Sequence, residues 1–463
     1  MNILLISCYE LGHQPFNLAS PAAHLRRAGF EVTCLDLSVQ PMEPDLVKQA
    51  QLVAFSTPMH TALRLATRYA RTVRLLNPDC HICFYGLYAQ LHASHLLRNT
   101  TREPVAHFVL GGEFEQGLVE LARNLAHEKP PQTQVPHPGN QGHGGALPRQ
   151  TFVLPDRSTL PPLRRYAHLQ IGEEHRLAGY VEASRGCAHR CRHCPITPVY
   201  RGAVRLVQKE VVLADIEQLV EQGAQHITFG DPDFLNAVKH ALAIVRTMHE
   251  RFPEVTFDFT AKIEHLLEYR ALLPELRHLG GLFVVSAVEL LNDRILRYLD
   301  KGHTRADVEE AVRLTRAAGL TLRASLMPFT PWTQIQDLLD IFEFVETYEM
   351  HQQIDPIQYS IRMLVPVGSH LLNLLQLAPH LVGFDEETWV YQWRHPDPKM
   401  DELQTELFCL VEEASQQKED NLVTYEKIRD RVFEAAGQTP SASSANNCAR
   451  KRYAPRLTED WFC

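Results

Sequence analysis

The sequence predicts a mixed α/β chain of two successive units: a Rossmann-like open parallel sheet, then a (β/α)6 partial barrel with a helical C-terminal extension. Three observations carry this. Over residues 1–127 short apolar runs alternate with amphipathic stretches, and such alternation implies crossovers and a parallel sheet covered on both faces. Residues 128–150 are rich in Pro, Gly, Gln and His and hold almost nothing that could enter a core. From about 178 the alternation resumes with six strand candidates.

In the first unit the strands are expected at Ile3 to Ile6, Glu31 to Leu35, Leu52 to Phe55, His81 to Tyr85 and His107 to Leu110, with helices over 17–28, 59–76 and 113–126. Ligands of such sheets sit beyond the carboxyl ends of the strands. The linker and an extended strap, PDRSTLPP from Pro155 to Pro162, fill 128–160. The barrel is expected over 161–385, with strands at 179–184, 226–229, 255–260, 282–287, 320–326 and 356–362. Helices over 208–222, 235–250, 265–278, 305–318 and 333–348 separate them. The remainder, 386–463, is a charged helical region over 401–436 and a Cys-containing tail.

Composition narrows the function. Hydrophobic residues make up 45% of the 463, enough for a large core rather than a disordered chain. A formal charge of −9 gives no broad basic face, so no nucleic acid partner is expected. Ten Cys are too sparse for a disulfide scaffold and point to metal or thiol chemistry in a reducing compartment. The start, MNILLISC, lacks a secretory signal's charge and length, and no apolar run reaches the roughly 18 residues of a membrane span. The expected location is the cytoplasm, away from membranes.

The most informative segment is Ser184-Arg185-Gly186-Cys187-Ala188-His189-Arg190-Cys191-Arg192-His193-Cys194-Pro195, directly after a strand. The thiols of Cys187, Cys191 and Cys194 can turn toward one centre, with Arg185, Arg190 and Arg192 nearby to favour deprotonation and offset negative charge. Three thiolates on a four-iron cluster leave one iron open, and that vacancy is where chemistry can occur. The alternatives are zinc, with His189 or His193 completing a Cys3His set, and three free thiols. Structural zinc sites usually come as two separated ligand pairs, whereas these ligands crowd within eight residues.

The CAHRCRHC segment resembles the signature of the radical S-adenosylmethionine (SAM) superfamily, and the resemblance extends over about 160–385. It implies a 4Fe-4S cluster whose unique iron is chelated by SAM, one-electron cleavage to a 5′-deoxyadenosyl radical, and an electron donor such as flavodoxin or ferredoxin. It also implies contacts to SAM. Gly230 and Asp231, in Phe229-Gly230-Asp231-Pro232-Asp233-Phe234, match the turn that receives its ammonium, although an ordinary turn capped by Asp233 fits as well. Glu289 matches the acidic residue of the fourth-strand motif. Arg323 is placed to pair with the SAM carboxylate or to face solvent, and Arg362, in the stretch from Ser360 to Ser369, lies where the family contacts adenine. Lys262 and Glu264 either line the pocket or form a surface pair.

An α/β unit ahead of such a barrel resembles the cobalamin-binding domain of the B12-dependent class of this superfamily. Ser56, Gly86, Gly111 and Gly112 fall at the sheet's carboxyl edge, where a corrin could lie flat, and Ser7, Cys8 and Tyr9 fall near the expected cobalt face. The lower-ligand signature Asp-x-His-x-x-Gly is absent. His13 lacks the Asp and the Gly, so cobalamin is expected to bind without a protein imidazole, unless the domain has lost it.

The tail, with Cys448 and a terminal Cys463, resembles that of radical SAM proteins ending in Cys-Cys-Ala-Glu-Pro or Cys-selenocysteine-Ala-Glu-Pro, so the reading frame is expected to continue past Cys463 through a recoded opal stop. The expected function is SAM cleavage with cobalamin-dependent methylation of a small molecule or peptide. A non-methylating rearrangement or C–S bond formation, and a non-catalytic iron–sulfur or zinc sensor, are the alternatives.

Overall fold

In the computed structural model residues 1–98, 104–127, 151–440 and 454–459 are described. The predicted linker over 128–150 and the tail cysteines Cys448 and Cys463 lie outside the described residues. The first unit runs β1 (Asn2–Ser7), α1 (Phe16–Arg27), β2 (Glu31–Asp36), α2 (Pro44–Gln49), β3 (Leu52–Ser56), α3 (His60–Leu76), β4 (His81–Tyr85), α4 (Leu87–Leu91), α5 (Ala93–Leu96), β5 (Phe108–Leu110) and α6 (Glu115–Ala126). The five strands are parallel in the order β2-β1-β3-β4-β5. Every residue of β3 is buried because both faces are covered. Ile3 and Leu5 of β1 face Leu18, Leu25, Leu118 and Ala122 of α1 and α6, while Leu4 and Ile6 face Leu63, Ala66 and Ala89 of α3 and α4.

The second unit follows with β6 (His168–Ile171), β7 (Glu174–Val181), β8 (Ser184–Gly186), α7 (Ile196–Tyr200), β9 (Val204–Leu206), α8 (Lys209–Glu221), β10 (His226–Phe229), α9 (Val238–Arg251), β11 (Thr256–Thr260), α10 (Ile263–Glu268), α11 (Leu273–His278) and β12 (Gly281–Glu289). Beyond these come α12 (Asp293–Leu299), α13 (Arg305–Ala318), β13 (Thr321–Leu326), α14 (Ile335–Thr347), β14 (Leu381–Asp385), β15 (Val390–Trp393), α15 (Pro398–Gln416), α16 (Asn421–Ala435) and β16 (Arg456–Leu457). Its sheet has the order β13-β12-β11-β10-β7-β6-β16, with β7 and β10 to β13 parallel and β6 and β16 added antiparallel at one edge. The result is a half-barrel whose strands' carboxyl ends face the first unit.

Three expectations need correction. The sixth barrel strand at 356–362 does not form. Pro356 has no N–H to give a ladder, residues Pro356–Tyr359 take a 3-10 turn, and the Gln358 side chain replaces the missing strand by accepting from Leu326 N at 2.8 Å and Ser325 Oγ at 3.1 Å. A bridge from Phe329 to Arg362 marks its place. The first barrel strand ends at Val181, not 184, and Ser184–Gly186 instead pairs antiparallel with β9. The helix expected over 265–278 breaks into α10 and α11, the second opening with Pro274 in its first turn.

The strap packs against both units. Arg157, 3% exposed, donates to Asp215 from Nε at 2.8 Å and from Nη2 at 3.0 Å, and to Gln14 Oε1 from Nη1 at 2.8 Å. Gln14 Nε2 donates to Pro161 O at 2.9 Å.

Candidate active site

The cysteine loop leaves the β8/β9 ribbon at Gly186, where φ is +76° and a Cβ would lie 2.3 Å from Ala203 O, so only glycine fits. The loop is pinned from behind. Arg192 N donates to Leu299 O at 2.8 Å, and its Nη1 donates to Tyr298 O at 2.9 Å and Arg297 O at 3.1 Å, which satisfies carbonyls at the end of α12. Ser369 Oγ donates to Arg192 O at 3.1 Å, tying in the segment that follows the absent sixth strand. Cys191 is buried, and Cys187 and Cys194 are half-buried.

The donor set fits a polynuclear cluster better than one ion. A zinc tetrahedron with bonds of about 2.3 Å holds its sulfurs roughly 3.8 Å apart. The loop instead offers three thiols, Cys187, Cys191 and Cys194, a set that suits a four-iron cluster with one iron left open. Burial raises the Cys187 thiol, and it pushes Cys194 up to about 11 with help from Cys191 and Cys187, while Lys301 acts in the opposite sense.

A cation outside the expected set of Arg185, Arg190 and Arg192 lies near these thiols. Arg185 is spent on three carboxylates and Arg192 on carbonyls, whereas buried Lys301 lies close enough to Cys191 and Cys194 to be raised by both. Lys301 Nζ donates to Glu289 Oε1 at 3.1 Å, and His193 Nε2 reaches the same oxygen at 3.0 Å. Burial would raise the Glu289 carboxyl, but Lys301 and His193 outweigh it and hold it far below the usual range. Glu289 ends β12 at a bulge with φ +65°, a costly conformation in a non-glycine residue that here aims the carboxylate at the cysteine loop.

Beside the loop a cavity of about 320 Å³ opens between the carboxyl ends of the two sheets. Its walls from the first unit include Glu10, His13, Met59, Gly86, Leu87 and Gly112. The second unit contributes Tyr180, Glu182, Arg185, Val199, Tyr200 and Asp231. Gly86 (φ +104°) and Gly112 (φ +62°) carry backbone that other residues rarely adopt, and they leave the floor of the first unit open to a flat ligand. His13 is buried against the Tyr180 ring at 4.8 Å, and burial lowers it to about 4, so it is neutral. Glu10 accepts from Asn17 N at 3.2 Å and Asn17 Nδ2 at 3.0 Å through Oε1, while its buried Oε2 has no hydrogen-bond partner. Burial pushes this carboxyl up to about 8.

The structure gathers some of the expected residues and disperses others. Cys187, Cys191, Cys194 and Glu289 share one end of the half-barrel, and Gly86, Gly112, Gly230 and Asp231 line the cavity. The space at Gly230 is already taken, since a Cβ there would meet Tyr180 Oη at 1.9 Å. Both oxygens of Asp231 are bonded, to Ser184 Oγ at 2.5 Å and Ala183 N at 2.9 Å, so the residue holds the turn before the cysteine loop. Asp233 caps Leu235 N at 3.1 Å. Ser56 is buried at the end of β3, and Gly111 packs on Gln90.

Arg323 and Arg362 do not join the site. Arg323 Nη2 pairs with Asp355 at 2.6 Å and its Nη1 donates to Gln352 O and Pro455 O, both at 3.3 Å, while Arg362 donates to Trp393 O at 2.6 Å with its guanidinium over the Trp393 ring. Lys262 and Glu264 pair with each other. Cys8 is core, and Tyr9 Oη donates to Glu459 Oε1 at 2.5 Å. Sequence reasoning missed Glu10, Tyr180, Glu182 and Lys301. The acidic Glu10 inside the apolar stretch after β1, and Lys301 before Gly302 just beyond α12, were the available signals.

Comparison with known proteins gives matching results. The radical SAM superfamily model matches residues 181–345, and the B12 binding domain model matches residues 3–122. The chain is 24% identical over 330 residues to the hopanoid C-3 methylase of Methylococcus capsulatus, which covers 69% of this chain and 62% of that protein. It therefore spans less than two-thirds of that relative's length. In fold it resembles the cobalamin-dependent S-adenosylmethionine radical enzyme OxsB with aqua-cobalamin and S-adenosylmethionine bound, with TM-score 0.68, 15% identity, and coverage of 94% of this chain and 72% of OxsB. It also resembles the radical S-adenosylmethionine methyltransferase TsrM from Kitasatospora setae, with TM-score 0.63, 15% identity, and coverage of 97% and 98%. Among the described residues no helix is long and apolar enough to cross a membrane.

Proposed function

We propose, from the match of the radical SAM superfamily model to residues 181–345 and of the B12 binding domain model to residues 3–122, that the chain is a cobalamin-dependent radical SAM methyltransferase acting on a small molecule or peptide in the cytoplasm. The observation that carries this reading is the shared cavity. The carboxyl ends of both sheets open into one space beside the cysteine loop, so the reacting ends of groups held by the two units can face one another there. The relative from Methylococcus capsulatus is named as a methylase, which supports methyl transfer over rearrangement.

Cys187, Cys191 and Cys194 would hold a 4Fe-4S cluster, and the glycine-edged floor at Gly86 and Gly112 would hold cobalamin. When bound, these groups supply one-electron cleavage of SAM and carriage of a methyl group. The chain's own residues do the rest. Lys301 places a positive charge behind the thiolates, and Glu289 holds Lys301 and His193 in place. Leu87, Met59, Phe114 and Val199 exclude water from the cavity. Oε1 of Glu10 accepts from Asn17, so near neutral pH the carboxyl keeps its proton on Oε2, as a buried hydrogen-bond donor at the cavity wall. An external reductant such as a flavodoxin or ferredoxin supplies the electron.

Anaerobic reconstitution tests the reading. The expected result is about four irons and four sulfides per chain, retained corrinoid, and S-adenosylhomocysteine formed with SAM and reductant. Release of 5′-deoxyadenosine without S-adenosylhomocysteine would favour the non-methylating alternative. Replacing the three cysteines by alanine should empty the chain of iron.

A further inference from the structure

A second constellation lies behind the cysteine loop, and nothing in the proposed chemistry uses it. His189 comes from the loop itself, between Cys187 and Cys191. Asp233 comes from the turn after β10, and His265 from the middle of α10. The three side chains offer His189 Nε2, Asp233 Oδ2 and His265 Nδ1, all within 4.8 Å of one another. Asp233 Oδ2 is 2.7 Å from His265 Nδ1 and 3.5 Å from His189 Nε2, and the imidazole centroids are 4.7 Å apart.

Two features distinguish this group from an ordinary hydrogen-bonded triad. All three atoms are buried, and none has a hydrogen-bond partner of acceptable geometry, so the close approach of Asp233 and His265 is not a well-formed hydrogen bond. An unsatisfied buried polar atom costs about 1–3 kcal/mol, and here three of them converge on one point. The Asp233 side chain is 0% exposed, and its other oxygen, Oδ1, is fixed by capping Leu235 N, so Oδ2 cannot turn away to water.

We propose that His189 Nε2, Asp233 Oδ2 and His265 Nδ1 bind one divalent transition-metal ion of the zinc class. Two imidazoles and a carboxylate suit zinc or its first-row neighbours and not the oxygen-seeking magnesium or calcium. Three protein ligands leave a fourth position on the side where His189 is 20% exposed, and a water completes the tetrahedron there. Glu264 Oε2 stands 3.5 Å from His189 Nδ1, the position from which an outer carboxylate orients a metal-bound imidazole. Since His189 belongs to the cysteine loop, the ion would clamp that loop to β10 and α10. The site does not rest on the proposed methyl transfer, and a chain that fails as a methyltransferase would still hold the ion.

The test uses the full-length, cluster-loaded chain prepared without oxygen, incubated with equimolar zinc and dialysed. The expected result is about one zinc per chain beside an unchanged iron-to-sulfide ratio, with a zinc X-ray absorption shell of nitrogen and oxygen at about 2.0–2.1 Å. His265→Ala should lose that zinc and keep the iron and sulfide. Zinc below about a tenth of an equivalent, a sulfur shell at about 2.3 Å showing metal on the cysteines instead, or zinc unchanged in His265→Ala would each overturn the proposal. The wild-type absorption measurement decides the matter even if the variant is unstable.

Discussion

Arg185 Nη2 lies 2.7 Å from Glu115 Oε1, and this contact joins the strand that launches the cysteine loop to helix α6 of the first unit. The same guanidinium donates to Glu113 at 2.9 Å and Glu182 at 2.7 Å, and the Phe16, Phe114 and Phe152 rings stand 5.1 to 5.7 Å from it. One buried cation therefore fixes the distance between the floor of the cavity and the thiols. Positioning of that kind governs the rate of a reaction between two bound groups.

Replacing Arg185 by Ala removes the cation that balances Glu115, which is fully buried, and should cost about 3–5 kcal/mol in urea unfolding. Arg185→Lys should recover less than half, because an ammonium cannot serve three carboxylates in a planar fork. The pH response has a definite sign. Burial would raise Glu115, but Arg185 outweighs it and brings it to about 2. The stability it confers is thus present above its ordinary value near 4.5 and is lost as pH falls toward 2. A wild-type profile flat between pH 4.5 and 2 would contradict this.

Glu10 has the opposite sign. Its carboxyl is raised by burial to about 8, so it favours the fold fully below 4.5 and progressively less as pH climbs to 8. In Glu10→Gln the loss of stability from pH 5 to pH 8 should be shallower than in the wild type. Parallel unfolding midpoints for the two proteins across that range would show the carboxyl to be ordinary.

Glu289 and Lys301 should behave as one unit. Glu289→Ala leaves a buried ammonium beside the thiols and should destabilise by about 3–5 kcal/mol, whereas the double variant with Lys301→Met should regain much of that loss. A double-mutant cycle with no coupling would refute the pairing. In the cluster-loaded protein, Lys301→Met alone should lower the reduction potential, as measured by a redox titration followed by electron paramagnetic resonance.

Gly86→Ala places a Cβ where φ is +104° and 3.3 Å from Thr57 O, at an expected cost of about 1–3 kcal/mol. Because Gly86 lines the cavity, corrinoid retention should fall while the iron content holds. Equal loss of both would mean that the substitution merely unfolds the chain.

Both sheets, their covered faces and the cysteine motif could be read from the chain, because each depends on residues close in sequence. Burial periodicity reports strands and helices, and three thiols within eight positions share one short loop. Pro356, which breaks the sixth strand, was equally visible, but that the Gln358 side chain serves Ser325 and Leu326 in its stead was not. Which cation serves the thiols was decided by folding. Arg185 is next to them in sequence but is drawn off by Glu113 and Glu115, some seventy positions away, while Lys301 arrives from more than a hundred positions beyond. A linear pattern carries local geometry, but a charge acts through space on whatever the fold brings near it.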